Sequence, residues 1–173
     1  AVGYQSLYTN TTGAENVAVG AQALYPATGD VNTAVGYWAG RNTSTGTSNT
    51  MLGNRSMRAN TTGSYNVAVG RQALDANTTA SSNTAVGFQA GYSNTTGEQN
   101  AIFGTAAMWA NTNGTMNTAI GKAAMTSNTT GNYNTAIGKD ALVLNTTASN
   151  NVAVGYQAGY ANTTGAANNF LGY

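Results

Sequence analysis

Two successive stretches, GRQALDANTTASSNTAVG (residues 70–87) and GFQAGYSNTTGEQNAIFG (residues 87–104), are copies of one pattern. The pattern runs the length of the chain. Taking the glycine that closes each A-V-G-like triplet as position 0, it recurs at Gly3, Gly20, Gly36, Gly53, Gly70, Gly87, Gly104, Gly121, Gly138, Gly155 and Gly172. The spacings are 17, 16 and then 17 eight times. Such regularity makes repeat architecture the first matter to decide.

The period is chemical as well as numerical. Position −1 is aliphatic or aromatic in every copy, from Val2 to Leu171. Position −4 is Asn wherever the chain covers it: Asn16, Asn32, Asn49, Asn66, Asn83, Asn100, Asn117, Asn134, Asn151 and Asn168. Position +3 is Ala or Ser, and an N-T-T-G-like turn follows it. The bias toward Asn, Thr, Gly and Ala could mark a disordered segment, but a disordered chain has no reason to hold apolar and Asn positions in phase. The repeat is too short for a helix pair and lacks 3.6-residue spacing. Its β-branched triplets between glycine-bearing turns read as short strands. The expectation is an all-β parallel β-solenoid, a β-roll with about one coil per 17 residues. Residues 1–173 form a single array of about ten coils. Coils stacked at the inter-strand spacing of ~4.8 Å make a rod roughly 50 Å long. The array starts and stops mid-repeat without polar caps, as a window of a longer fibre would.

In such a stack each residue lies on its counterpart one period away. A column of Asn can pass hydrogen bonds along the axis; Asn also tolerates left-handed turns, and the two roles are compatible. The N-T-T-G corner carries glycine except at Ala80 and Ala148, and is expected to use it for positive φ. The single 16-residue coil contains Pro26, the only proline, and its deletion is placed at that corner.

Sizes at two positions are exchanged. Position +4 is glycine at Gly40, Gly91 and Gly159, and eleven residues later position −2 is bulky: Met51, Ile102 and Phe170. Wherever +4 is Leu or Met, the following −2 residue is Ala. Two side chains sharing one packed volume behave this way, because voids and overpacking both destabilise. Position −2 therefore faces a core. Position −1 is also apolar, yet neighbours on a strand point to opposite faces, so the second face calls for a partner, most simply another copy of the chain.

Composition narrows the function. The chain has no Cys and no His, only 6% charged residues and a net charge of +1. Disulfides, zinc sites and histidine chemistry are excluded, and no footprint for nucleic acid or an anionic membrane is present. No apolar run reaches the ~20 residues of a membrane span. The acids Glu15, Asp30, Asp75, Glu98 and Asp140 form no catalytic carboxylate pair. Neither an enzyme nor a cofactor is expected.

The motif N-[TV]-A-[VI]-G, as in Asn117–Gly121, Asn134–Gly138 and Asn151–Gly155, resembles the head repeats of trimeric autotransporter adhesins. The longer phrase NVAVGYQAGYANTTG (Asn151–Gly165) is similar to arrays in bacteriophage tail-fibre-like proteins. The resemblance implies a left-handed β-roll, a homotrimer about one axis, and an extracellular, cell-surface or virion fibre that attaches to surfaces. The coil is longer than the usual adhesin-head coil.

Several outward features remain. Aromatics collect at +1 (Tyr4, Tyr37, Phe88, Tyr156, Tyr173) and at +5 (Tyr8, Tyr25, Tyr92, Trp109, Tyr160). With nearby glutamines they could form glycan-stacking platforms; stacked aromatics also stabilise β-columns or fill seams between chains. Arg58 and Asp75 neighbour each other at +5, a pair worth little if exposed, while Lys122 and Lys139 at +1 point to a solvent-facing column. Asn-x-Thr/Ser sequons recur at Asn10, Asn60, Asn77, Asn94, Asn128, Asn145 and Asn162. Position +8 is Thr in all coils but the one with Ser44. The leading reading is a structural fibre segment, a rigid spacer with a role in surface or glycan attachment. A self-assembling filament and an ice-binding solenoid built on the threonine column are the alternatives.

Overall fold

The computed structural model describes residues 1–172. Each coil contributes one three-residue strand: β1 (Val17–Val19), β2 (Thr33–Val35), β3 (Thr50–Leu52), β4 (Val67–Val69), β5 (Thr84–Val86), β6 (Ala101–Phe103), β7 (Thr118–Ile120), β8 (Thr135–Ile137), β9 (Val152–Val154) and β10 (Asn169–Leu171). They stack in chain order as one parallel sheet. Ala85 lies against Ile102 and Val86 against Phe103, the residues one period on. The expected parallel solenoid with one coil per repeat is the architecture found.

Each strand is short because the sequence ends it. Position −2 points inward and −3 and −1 point outward, after which the position 0 glycine takes φ between 128 and 140° from Gly3 to Gly155. Positions +2, +4 and −5 then adopt the left-handed region, as in Gln72 (φ 60), Leu74 (φ 49) and Ser82 (φ 62). Backbone hydrogen bonds continue between coils outside the strands: Leu74 N–H donates to Ala90 (3.0 Å), Ala76 to Tyr92 (3.1 Å) and Thr78 to Thr95 (3.1 Å). Buried backbone groups are thereby paired around most of the coil.

The apolar core is a narrow column of positions −2, +3 and +4, with Ala85, Ala90, Ile102, Ala107 and Met108 fully buried. The glycines at +4 leave space that neighbouring coils fill. A Cβ placed on Gly91 would lie 2.9 Å from both Ile102 Cδ1 and Leu74 Cδ2. One on Gly159 would meet Phe170 Cδ2 at 2.7 Å, and one on Gly40 would meet Met51 Sδ at 2.5 Å. The large-for-small exchange is thus a shared volume spanning three coils.

Two asparagine columns form the polar half of the interior. At −4, the Asn117 Oδ1 accepts from the Asn134 backbone N–H (2.9 Å) and from its Nδ2 (3.2 Å), and the pattern of Asn N–H to preceding Asn Oδ1 runs from Asn16 to Asn168. None of these residues has positive φ, so hydrogen bonding and not turn geometry accounts for them. The second column, at +7, has the sequence of a corner and of recurrent sequons. From Asn77 to Asn162 each Nδ2 donates to the Oδ1 of the Asn one coil earlier, as Asn94 to Asn77 (3.1 Å) and Asn111 to Asn94 (2.7 Å). The columns meet at the +10 carbonyl: Gly97 O accepts from Asn83 Nδ2 (2.8 Å) and Asn94 Nδ2 (2.9 Å).

Two expectations are corrected by these bonds and a third is located more closely. The corner glycines at +10 have no positive φ; they are small because a Cβ would collide with the +10 carbonyl of the next coil, as at Gly114 against Gly131 O (2.5 Å). Ala80 and Ala148 supply the same doubly bonded carbonyl, and nothing in the structure explains how their coils admit the extra methyl. The deletion of the short coil does fall at this corner, where the +9 residue is missing: Gly29 takes the +10 role, accepting from Asn16 Nδ2 (2.8 Å), and Thr28 takes the +8 role, bonding Ser44 O. Finally, the sequon residues Asn60, Asn77, Asn94, Asn128 and Asn145 are fully buried, so the folded chain offers none of them to a modifying enzyme; Asn10 and Asn162 are half-buried.

Two outcomes are expected in denaturant titrations. Gly91→Leu alone should destabilise by about 1–3 kcal/mol through overpacking, and adding Ile102→Ala, which recreates the Leu74–Ala85 arrangement, should recover most of that loss. Additive effects of the two changes would contradict a shared volume. Asn94→Ala should cost about 2–4 kcal/mol, because it strands the Asn77 Oδ1 and removes one acceptor from Asn111.

Candidate functional site

Since the interior consumes positions −4, −2, +3, +4, +7 and +10, anything the protein recognises must meet the outward columns. Among the described residues the surface has no pocket, and no three acidic, His or Cys side chains converge to hold a metal. The candidate sites are therefore flat surfaces.

The first is the outer face of the sheet. The −1 column runs from Val2 to Leu171 without a polar interruption. Phe103, Ile120, Ile137 and Val154 are each 37–40% exposed although they sit mid-array. At −3 stand Thr, Val and Ala, with Asn at the last coil. Exposed Tyr4, Tyr37, Phe88 and Tyr156 border the stripe at +1, and Val31, Tyr65, Met116 and Tyr133 at −5. The −1 stripe itself is an unbroken apolar column along the array, and exposed apolar surface of that kind marks an interaction site. Tyr173 lies outside the described residues.

The second surface is formed by +2 and +5, whose side chains interdigitate. Tyr8 stacks on Tyr25 and Tyr92 on Trp109, each pair with ring centroids 5.7 Å apart and nearly parallel. Each ring therefore spends one face on its partner. Tyr160 has Val143 below it in the column and is in no ring stack among the described residues. A further stack, Tyr37 on Trp38 (4.8 Å), joins +1 to +2. Glutamines link coils alongside: Gln22 Nε2 donates to Gln5 Oε1 (2.8 Å) and Gln89 Nε2 to Gln72 Oε1 (3.3 Å).

Charge on this surface is organised more tightly than the sequence suggested. Asp75 is 1% exposed and is gripped by two arginines, Arg58 Nη2 at 2.9 Å and Arg55 Nε at 3.3 Å. The expected weak surface pair is a buried carboxylate held in a double fork, because the +5 column tucks Asp75 under the flanking guanidiniums. The hydrogen bond that Arg58 donates to Asp75 raises the pKa of Arg58 against the opposing effect of desolvation. Because the shift is upward, its contribution to stability is present at every pH below the ordinary arginine value and is lost only above it. Arg41 donates Nε–H to Gln22 (2.9 Å) and lies over the Trp38 ring at 4.9 Å. On the +1 column, Lys122 and Lys139 are exposed; Lys139 pairs with Asp140 (2.9 Å) and covers the Tyr156 ring.

The +8 threonines are spent on the backbone. Thr61, Thr78, Thr95, Thr112 and Thr129 each donate Oγ1–H to the +8 carbonyl of the next coil, at 2.9–3.1 Å. Their hydroxyl protons are directed along the axis and not toward solvent. Outward Thr side chains occur one residue later, at Thr62, Thr79, Thr96, Thr130 and Thr147.

The sequence signalled the apolar stripe and the aromatic columns. It did not signal that +2 and +5 face each other, since that depends on the left-handed residues between them. Comparison with protein-family models, with curated proteins and with solved structures found no match to this chain.

Proposed function

We propose that this chain is a rigid segment of an extracellular fibre in which three left-handed β-rolls pack their outer strand faces about a common axis. The observation that carries the reading is the unbroken, half-exposed apolar column at −1. A sheet buried on one face alone alternates polar and apolar residues, whereas one buried on both faces is apolar throughout. The solenoid has a single interior, so the −1 stripe needs a covering that the chain itself does not provide. A second and third copy offer the same stripe in the same register. The resemblance of the N-[TV]-A-[VI]-G coils to trimeric adhesin heads and tail-fibre arrays supports this stoichiometry and the hand of the coil.

Within that assembly the parallel stack acts as a spacer. Its coils are tied by backbone and Asn hydrogen bonds along the whole axis, so bending requires many bonds to stretch together. The outward +2 and +5 columns, bearing aromatics and glutamines, stay on the surface of the fibre and serve attachment to surface glycans. The fibre belongs on a cell surface or a virion.

Mass in solution decides the matter. The chain at micromolar concentration should weigh as three copies, and Val86→Asp with Ile120→Asp should lower that mass. A monomeric native chain would overturn the proposal. So would a mass distribution that grows without limit as concentration rises, which would favour an open filament.

A further inference from the structure

All four arginines of the chain, Arg41, Arg55, Arg58 and Arg71, fall in three successive coils. Between residues 41 and 75 the only acid is Asp75, so four positive charges meet one negative and the segment carries +3. The chain as a whole carries +1, which leaves −2 for everything else. Asp75 is buried, and the charge presented outward here is that of guanidinium alone. We propose that this arginine patch binds an acidic polysaccharide, one bearing carboxylate or sulfate groups, laid along the fibre axis. The proposal rests on the surface-attachment reading above but not on the trimer.

Three features of the patch suit that ligand. Its arginines are held in place before any ligand arrives: Arg55 and Arg58 by Asp75, Arg41 by Gln22 and the Trp38 ring. Little side-chain freedom is left to lose on binding. Donors remain unspent. Each guanidinium has five N–H groups; Arg55 and Arg58 use Nε and Nη2 on Asp75. The Arg71 guanidinium lies over the Phe88 ring at 5.7 Å and donates no hydrogen bond to the described residues. These planar forks match carboxylate and sulfate oxygens. Finally, the stacked Tyr37 and Trp38 and the Gln22 and Gln89 amides stand beside them, supplying ring faces and hydrogen-bonding groups of the kind sugars use.

The arrangement favours a polymer over a small anion, because donors repeat up the axis at the coil spacing of ~4.8 Å and no pocket encloses them. It also disfavours nucleic acid. Affinity for a polyphosphate scales with the number of phosphates neutralised, and a local +3 flanked by acidic coils neutralises few.

Affinity electrophoresis of the purified chain tests this, with polygalacturonate as the acidic probe, dextran as the neutral one and single-stranded DNA as the alternative polyanion. Polygalacturonate should retard the chain at low ionic strength, and added salt should weaken the effect. Arg41→Gln with Arg71→Gln leaves both Asp75 ion pairs in place and should lower the affinity roughly tenfold or more. Lys122→Gln with Lys139→Gln should change it by less than about twofold. The proposal is overturned if polygalacturonate does not retard a folded chain, if dextran does so equally, if the lysine variant loses as much as the arginine variant, or if DNA binds more tightly. Mass measured on the same samples separates this from the trimer: a monomer that still binds polygalacturonate refutes only the assembly, and a trimer that does not bind refutes only the patch.

Discussion

Coils approach so closely at position 0 that the next coil's glycine carbonyl stands where a side chain would begin. A Cβ on Gly87 would lie 2.6 Å from Gly104 O, and the Gly87 φ of 139° is itself one that side-chain-bearing residues rarely adopt. Steric exclusion and backbone conformation thus demand the same residue at the same place in every coil. Once that contact is set, a residue's neighbours along the axis are its own repeat counterparts. The composition of each column follows from whether a residue type can sit on a copy of itself.

That self-stacking condition separates the two halves of the interior. Apolar side chains satisfy it by size alone, and they do so collectively: Leu74, Gly91 and Ile102 divide one volume among three coils. Polar side chains must be both donor and acceptor toward a copy of themselves. Asn meets that requirement, since its Nδ2 and Oδ1 point to opposite coils. Asp would place like charges one coil apart, and Ser or Thr has too little reach to join the −4 and +7 columns at a shared carbonyl. No buried side-chain polar atom among the described residues is left without a partner. This matters for a core so rich in alanine, where each unpaired amide would cost about 1–3 kcal/mol and the buried apolar volume is small.

The legible part of the fold was whatever depends on self-stacking. The period, the −4 asparagines and the Gly91–Ile102 exchange are visible because each column repeats one requirement. What escaped depends on relations between different columns. Asn60 through Asn162 recur as faithfully as the −4 column, but N-T-T-G also satisfies the composition of a turn and of a sequon, and only the +10 carbonyl that receives both asparagines distinguishes a ladder from a corner. The left-handed residues had no sequence mark at all. Leu74, Met108 and Leu142 occupy that region at φ 47–49°, a conformation that costs about 1–2 kcal/mol for an L-residue and is retained because the inward side chain and the coil-to-coil hydrogen bond offset it. The burial of Asp75 was illegible for the same reason, since it follows from how the +2 and +5 columns are folded against each other.

The same logic says where recognition can reside. Inward columns are held to Asn or to apolar residues and glycine of matched size with few exceptions, because each must fit its own copy, whereas the +2 column holds Gln, Trp, Arg, Ala and Asp, and the +5 column holds Tyr, Trp, Arg, Asp, Thr and Val. Outward positions are coupled to their copies only by optional contacts, such as the stack of Tyr92 on Trp109. A single coil can therefore change its outward residues without disturbing the scaffold, and three adjacent coils can differ together from the rest. The clustering of every arginine between Arg41 and Arg71 is a departure of that kind. The repeat itself has no use for it, for the neighbouring coils stack equally well with Tyr, Gln or Ala in the same columns.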